Sequence, residues 1–279
     1  MESSGPRSDL ALNYDLVRTI LVSFLGDETR NSGFTRGVVG LSGGIDSAVA
    51  AYLAVAALGR ESVRAVMMPY RTSSKESISD ARLVIDALGI SSETVDITPM
   101  VDPSLAAAKT DDKVRGGNIM ARQRMIVLYD ISARDSALVI GTSNKTESLL
   151  GYGTLWGDVA CAINPLGDMY KTQIWQLAEH LGVPRRLIDK KPTADLWAGQ
   201  TDEQELGFTY ADVDRLLYAM IDERRTESEL LSTGFDENFL RRVEAMVRRN
   251  QFKRRPPLIA KISHRTVNVD FRYARDWGI

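Results

Sequence analysis

Leu10, Leu12, Leu16, Val17, Ile20, Leu21, Phe24 and Leu25 recur every three to four positions. That spacing puts them on one stripe and predicts an amphipathic opening helix. Glycine, asparagine and serine crowd residues 26–33 and are expected to end it. Residues 36–41 (RGVVGL) form a short continuous apolar run, the pattern of a strand covered on both faces. Residues 42–47 read as a tight loop, and 48–58 as an alanine-rich helix closed by Gly59. The alternation continues with a strand at 63–68, a helix at 75–88 stopped by Gly89, and a third strand at 94–97. A helix at 99–108, a polar loop at 109–117, a long helix at 118–133 and a fourth strand at 137–141 (ALVIG) complete it. Strands alternating with helices predict the α/β class: a doubly wound parallel sheet flanked by helices.

Beyond Thr142 the texture changes. Gly151, Gly153, Gly157 and Gly167 punctuate a stretch too glycine-rich for one regular element. Helical spacing resumes at 170–181, 210–222 and 237–250, which predicts a helical C-terminal part. Residues 1–9 read as flexible, 256–279 as a docked tail, and 1–279 as one domain without internal repeats.

Composition narrows the function classes. Of 279 residues 44% are hydrophobic, enough for a sizeable core, and the formal net charge of -2 argues against a general affinity for nucleic acid. The basic cluster Arg248, Arg249, Lys253, Arg254 and Arg255 reads first as a solvated helix end, favoured by the helix dipole. The single cysteine, Cys161, excludes an intrachain disulfide or a cysteine-built metal site and fits a reducing compartment. It lies among small apolar residues and reads as an inert thiol; His180 and His264 have no ligand-spaced partners and read as structural. The N-terminus lacks the apolar core of a signal peptide, and the apolar runs are too short to span a bilayer, so a cytoplasmic protein without membrane contact is expected.

The strongest chemical signal is Ser42-Gly43-Gly44-Ile45-Asp46-Ser47, directly after a predicted strand and before a helix. Glycines let backbone N–H groups approach a phosphate, and the helix N-terminus adds free donors and partial positive charge. The segment lacks the Lys-Ser/Thr pair of a Walker loop and the GxGxxG spacing of a dinucleotide fold. Asp46 beside a phosphate cradle would repel an anion unless a cation lay between them, which implies Mg²⁺. The plainer reading is a glycine turn whose Asp and Ser cap the helix. Glu147, in GTSNKTE after the fourth strand, lies on the same sheet edge as Asp46 and is either a second metal carboxylate or a solvated helix-start group.

The SGGIDS loop resembles that of the pyrophosphatase-loop ATP ligases. With NIMARQR at 118–124, GTSNKTE at 141–147, GYGTLWGDVACAINPLGDMYK at 151–171 and KKPTADL at 190–196, the chain resembles ammonia-dependent NAD synthetases from about residue 37 to 257. The resemblance implies an adenine-nucleotide alpha-hydrolase-like fold and a ligase, typically homodimeric, that amidates deamido-NAD with ammonia at the expense of ATP, releasing AMP and pyrophosphate. Gly40, Leu41, Ser42, Gly43, Gly44, Ile45, Asp46 and Ser47 would cradle ATP, with Thr142, Lys171 and Thr193 also contacting it. Asp46 and Glu147 would hold Mg²⁺, and Asp46 and Lys171 would be central to catalysis. Arg122, Asp158 and Lys253 would meet deamido-NAD; Arg122 shares a helix face with Asn118 and could equally form a surface ion pair.

Three positions depart from many bacterial relatives. Leu155 stands where they carry lysine, Ala162 where they carry an acid, and Phe252 where a histidine precedes Lys253. These departures bear on substrate contacts, not on the fold. No glutaminase module is evident, so free ammonia is the expected nitrogen source, with a separate glutaminase subunit as the other route. The rival readings are another ligase of the same loop group, such as a GMP synthetase ATP domain, and a non-catalytic nucleotide-binding protein.

Overall fold

Strands β1 (Arg36–Gly40), β2 (Val63–Met67), β3 (Ser91–Thr94) and β4 (Ala137–Ile140) pair in parallel in the order β3-β2-β1-β4. The computed structural model describes residues 10–193, 195, 201–255 and 257–267. Gly37 lies opposite Val63 on one side and Leu138 on the other, so β1 is central. The chain steps outward from β1 to β3, then returns past β1 to β4. Because parallel crossovers are right-handed, this reversal puts successive helices on opposite faces.

The strand residues divide accordingly. Val39, Ala65, Met67 and Ile140 pack with α2 (Ile45–Leu58) and α3 (Lys75–Leu88), backed by α1 (Tyr14–Asn31). Val38, Val66 and Val139 face α4 (Thr98–Ala108) and α5 (Lys113–Asp135). Alternate residues point to opposite faces, which is why a continuous apolar run was the correct signature for these strands. The loops leaving β1 and β4 diverge at the reversal, and that gap is where ligands bind in such sheets.

After β4 come α6 (Lys145–Leu150), α7 (Lys171–Leu181), α8 (Arg185–Asp189), α9 (Asp202–Leu206), α10 (Tyr210–Leu217), α11 (Glu227–Ser232) and α12 (Glu237–Arg249). Leu150, Tyr210, Val213, Leu216, Leu217, Leu240 and Val243 form a separate buried cluster, the helical C-terminal part.

Several boundaries differ from expectation. Helix α1 runs through Gly26 to Asn31, where the Ser32 N–H bonds the Glu28 carbonyl. Helix α2 starts at Ile45, so Asp46 and Ser47 belong to its first turn rather than to a loop. Strand β3 is the polar segment Ser91–Thr94, not 94–97; it is a sheet edge and needs no apolar face, while Val95 and Ile97 extend its bonding to Met67 and Pro69. Helix α5 starts at Lys113, because the Asp112 carboxylate caps the Val114 and Arg115 N–H groups, so Gly116 and Gly117 are helical. Helix α10 ends in a π-helical turn, Tyr218–Asp222.

Residues 1–9 and, from the tail, Pro256 and 268–279 lie outside the described residues. In the described part of the tail Leu258 and Ile262 are 88% and 95% exposed, and Thr266 is buried. No helix among the described residues is long and apolar enough to cross a membrane.

Candidate active site

The loop after β1 is held in shape by its own hydroxyls. Ser42 Oγ and Ser47 Oγ lie 3.2 Å apart, Gly44 N donates to Ser42 Oγ at 3.2 Å, and Ser47 Oγ donates to the Gly44 carbonyl at 2.9 Å. Gly43 has φ +79°, and a Cβ there would stand 2.1 Å from the Ser77 carbonyl oxygen. Helix α2 has Gly44 as its N-cap with no side-chain bond to its first turn. Its leading N–H groups are therefore open to an anion. From the far side Lys190 Nζ donates to Gly43 O and Ser77 Oγ at 3.2 Å each and pairs with Asp80 at 2.8 Å.

The loop after β4 supplies the second half. Asn144 is fully buried and caps α6 through the Glu147 N–H at 2.9 Å, while Glu147 Oε2 accepts from Asn144 N at 3.2 Å. The Asn144 amide also donates to Asp46 Oδ1 at 3.0 Å, so one residue holds both predicted metal carboxylates, Asp46 through its side chain and Glu147 through its backbone N–H. Lys171 opens α7, is 2% exposed, pairs directly with Asp46 and lies 3.9 Å from Glu147 Oε1. The Tyr210 and Trp175 rings flank its ammonium at 5.4 and 6.0 Å.

Burial, with Asp46 close by, pushes the Glu147 carboxyl up to about 8. Burial alone would favour a neutral Lys171, yet the Asp46 and Glu147 charges outweigh it and hold its pKa above the ordinary value. The Lys171 ammonium already supplies a positive charge to both carboxylates. Among the described residues no three acidic, histidine or cysteine groups cluster as a metal cage. Two carboxylates suit Mg²⁺, which keeps waters and substrate phosphates as its remaining ligands.

Asp214 anchors this arrangement from α10. Its Oδ1 accepts from Thr146 Oγ1 at 2.6 Å, its Oδ2 from Thr172 N at 2.8 Å, and Thr146 Oγ1 in turn accepts from Lys171 N at 3.0 Å. Burial raises its carboxyl from the ordinary 3.8 to about 6. The folded protein therefore holds a proton that the unfolded chain releases, and this group's contribution to stability falls as pH rises from about 3.8 to about 6. Asp214→Asn is expected to remove that slope. Urea unfolding at pH 4 and pH 6.5 should show the variant gaining up to ~3 kcal/mol relative to wild type across the window. An unchanged difference between the two proteins would overturn the assignment.

Of the predicted ATP residues, Gly40, Leu41, Ser42, Gly44, Ile45, Asp46, Ser47, Thr142, Lys171 and Thr193 line one large cleft, as do Glu147 and Asp158. Gly43 is not among the lining residues. The Asp158 side chain is exposed, and its Oδ1 accepts from Thr154 N at 2.7 Å. Arg122 and Lys253 are not brought into the cleft. Arg122 is exposed and reaches the Leu155 carbonyl at 3.3 Å; Lys253 donates to the Gly151 and Gly153 carbonyls at 2.8 Å each. Leu155 is half-buried, and Ala162 and Phe252 are exposed. The Cys161 thiol is half-buried and pushed up by burial, and His180 pairs with Asp15 at 3.3 Å.

Sequence reasoning missed Asn144, Lys190, Arg124 and Asp202, all close to this chemistry. The first three lie inside segments already singled out, so their motifs carried the signal. Asp202 lies outside every segment singled out, yet it is buried and accepts from Tyr152 and Tyr210 hydroxyls at 3.1 Å each.

A parallel sheet reversing at β1, a glycine loop at a helix N-terminus, and two carboxylates facing that loop define an α/β nucleotide-binding protein of the pyrophosphatase-loop class. A sequence model of NAD synthase matches residues 17–257. The chain is 58% identical over 268 residues to the NH(3)-dependent NAD(+) synthetase of Chlorobium phaeobacteroides (strain BS1), covering 96% of this chain and 97% of that one. It also resembles two solved structures. One is the NMN synthetase of Francisella tularensis (TM-score 0.80, 35% identity, 90% of this chain and 99% of that one). The other is the NH3-dependent NAD synthetase of Campylobacter jejuni (TM-score 0.77, 34% identity, 90% and 100%). The chain belongs to the NAD synthase family, whose members use ATP as co-substrate.

Proposed function

We propose that this protein is a ligase that converts the nicotinate carboxylate of deamido-NAD into the amide, using ATP and ammonia. The convergence of Asp46, Glu147 and Lys171 on the phosphate loop, in a chain of this family, carries the reading. A carboxylate is a poor electrophile, since ammonia does not displace oxide from it. The substrate carboxylate oxygen attacks the α-phosphorus of ATP, the bond to pyrophosphate breaks, and an acyl adenylate forms. Ammonia then attacks the acyl carbon, the C–O bond breaks toward AMP, and one proton is released.

The first step brings anion to anion, so the site must supply positive potential. The N–H groups at the start of α2 and the Lys171 ammonium do so, and Asn144 holds both carboxylates in place. Asp46 and Glu147 would hold Mg²⁺, which when bound neutralises phosphate charge. The apolar side of the cleft, with Met67, Met68, Ile78 and Ala81, suits the purine, and Asp158 and Thr154 border the side left for deamido-NAD.

The ligands are small molecules. In the basic cluster, Arg254 donates to the Ser148, Leu149 and Val247 carbonyls, Lys253 to two glycine carbonyls, and Arg248 pairs with Glu244. These bonds speak for a structural role rather than nucleic-acid binding. Exposed apolar residues on α1 (Leu16, Ile20) and α5 (Ile126, Tyr129) support a homodimer, and the absence of cysteine chemistry supports a cytoplasmic setting.

The test is an assay with Mg-ATP, ammonium or glutamine, and either deamido-NAD or nicotinate mononucleotide, the latter because one solved relative is named an NMN synthetase. NAD and AMP formed in equal amounts with ammonium are expected, from a species sedimenting at twice 30.9 kDa. Turnover of the mononucleotide alone would reassign the substrate. ATP binding with no amide formed under any condition would leave a nucleotide-binding protein.

A further inference from the structure

Among the described residues four cations line the cleft: Lys171, Lys190, Lys191 and Arg124. Lys171 is committed to Asp46, Lys190 to Asp80 and the Gly43 carbonyl, and Lys191 is exposed. Arg124 differs from all three. It is half-buried on α5 and anchored by one nitrogen only, its Nε donating to the Met68 carbonyl at 3.1 Å. No hydrogen bond or ion pair joins its two terminal nitrogens to any described residue.

Two carboxylates are near enough to act on its charge, Asp195 and Asp158. Each is already engaged by a backbone N–H: Asp195 with Ser74 at 3.0 Å, Asp158 with Thr154 at 2.7 Å. Burial works against the charged guanidinium, and the two acids offset this from a distance. A desolvated guanidinium with an open fork is matched to a planar or tetrahedral oxyanion, which it can bind through two parallel bonds.

Its place in the cleft says which oxyanion. The anchor, Met68, follows β2 on the apolar side that suits the purine. On the other side α5 presses against the glycine segment: a Cβ on Gly157 would meet the Ala121 Cβ at 3.0 Å. Arg124 thus spans from the adenosine side toward Asp158 and the side left for the second substrate. The α-phosphoryl group is the part of the reaction path that joins those two halves, in ATP and in the acyl adenylate alike.

Resting on the function proposed above, we infer that Arg124 is a catalytic residue that binds the α-phosphoryl oxygens and stabilises their charge during adenylation. Charge on these oxygens changes as the carboxylate oxygen bonds to phosphorus and pyrophosphate departs with its electron pair. A donor aimed there acts on the transition state more than on bound ATP.

The experiment compares wild type, Arg124→Gln and Arg124→Lys. Readouts are deamido-NAD-dependent exchange of labelled pyrophosphate into ATP without ammonia, steady-state NAD formation, and thermal unfolding. Arg124→Gln is expected to lower exchange and kcat by ~10²–10³-fold with KM for ATP changed less than ~3-fold. Arg124→Lys, which keeps the charge and loses the fork, should recover part of kcat. Exchange within ~3-fold of wild type in either variant, or a loss carried wholly by KM for ATP, would overturn the assignment. If Arg124→Gln does not fold, a folded Arg124→Lys with unaltered kcat overturns it alone. Wild type lacking any deamido-NAD-dependent exchange would instead strike the functional reading, and this inference with it.

Discussion

Asp46→Asn is expected to lower kcat/KM for NAD formation by on the order of 10³-fold, about 4 kcal/mol of transition-state stabilisation. Three features converge on this one carboxylate. It accepts from the Asn144 amide, pairs with the buried Lys171 ammonium, and sits in the first turn of α2 beside the phosphate loop. Asparagine keeps its size but removes the charge that Lys171 and a bound Mg²⁺ would both require. Losing one member of a buried pair leaves the other uncompensated. Steady-state rates at saturating and limiting Mg²⁺ check this, together with ATP binding by calorimetry. Activity within tenfold of wild type would remove Asp46 from the metal site and leave it a structural partner of Lys171.

Gly43→Ala should abolish ATP binding and lower stability by at least ~2 kcal/mol. The residue has φ +79°, and the added Cβ would lie 2.1 Å from Ser77 O and 2.8 Å from Ser77 C. Those atoms are backbone at the start of α3, so no side chain can rotate away. Either α3 or the phosphate loop must shift, and the loop is the proposed ligand cradle. Gly33→Ala separates the two effects, because Gly33 has φ +78° with nothing within 4 Å of its Cβ position. It should carry the backbone strain alone and leave ATP binding intact. A fall in Tm of several degrees for Gly43→Ala, beyond that of Gly33→Ala, is the expected calorimetric result. Equal behaviour of the two variants would mean the loop has room that the structure denies.

The loop itself was legible because it is contiguous: six consecutive residues at a strand–helix junction carry their own chemistry. The strands were legible because burial on both faces leaves continuous apolar runs. Strand β3 was misplaced by three residues for the same reason, since an edge strand has no such run. The start of α5 was missed because Gly116 and Gly117 read as a loop, whereas the Asp112 cap overrides that local preference. Arg122 and Lys253 could not be placed relative to the cleft from sequence. Their positions match the family pattern, yet one side chain is exposed and the other caps glycine carbonyls.

Sequence by itself determined the alternation of elements, the phosphate loop, the family, and the identities of Asp46, Glu147 and Lys171 as the residues to watch. Local spacing and short-range backbone chemistry suffice for these. Only the tertiary structure decided how they meet. Asp46 and Asn144 are 98 residues apart, and Asp46 and Lys171 are 125 apart. They touch because the strand order reverses at β1 and sets the ends of β1 and β4 side by side. The commitment of Lys190 to the loop, the burial of Asp202 and the open fork of Arg124 are likewise three-dimensional facts. A charged residue in a sequence window carries no mark of whether its partners, brought from elsewhere in the chain, will neutralise it or leave it for a substrate.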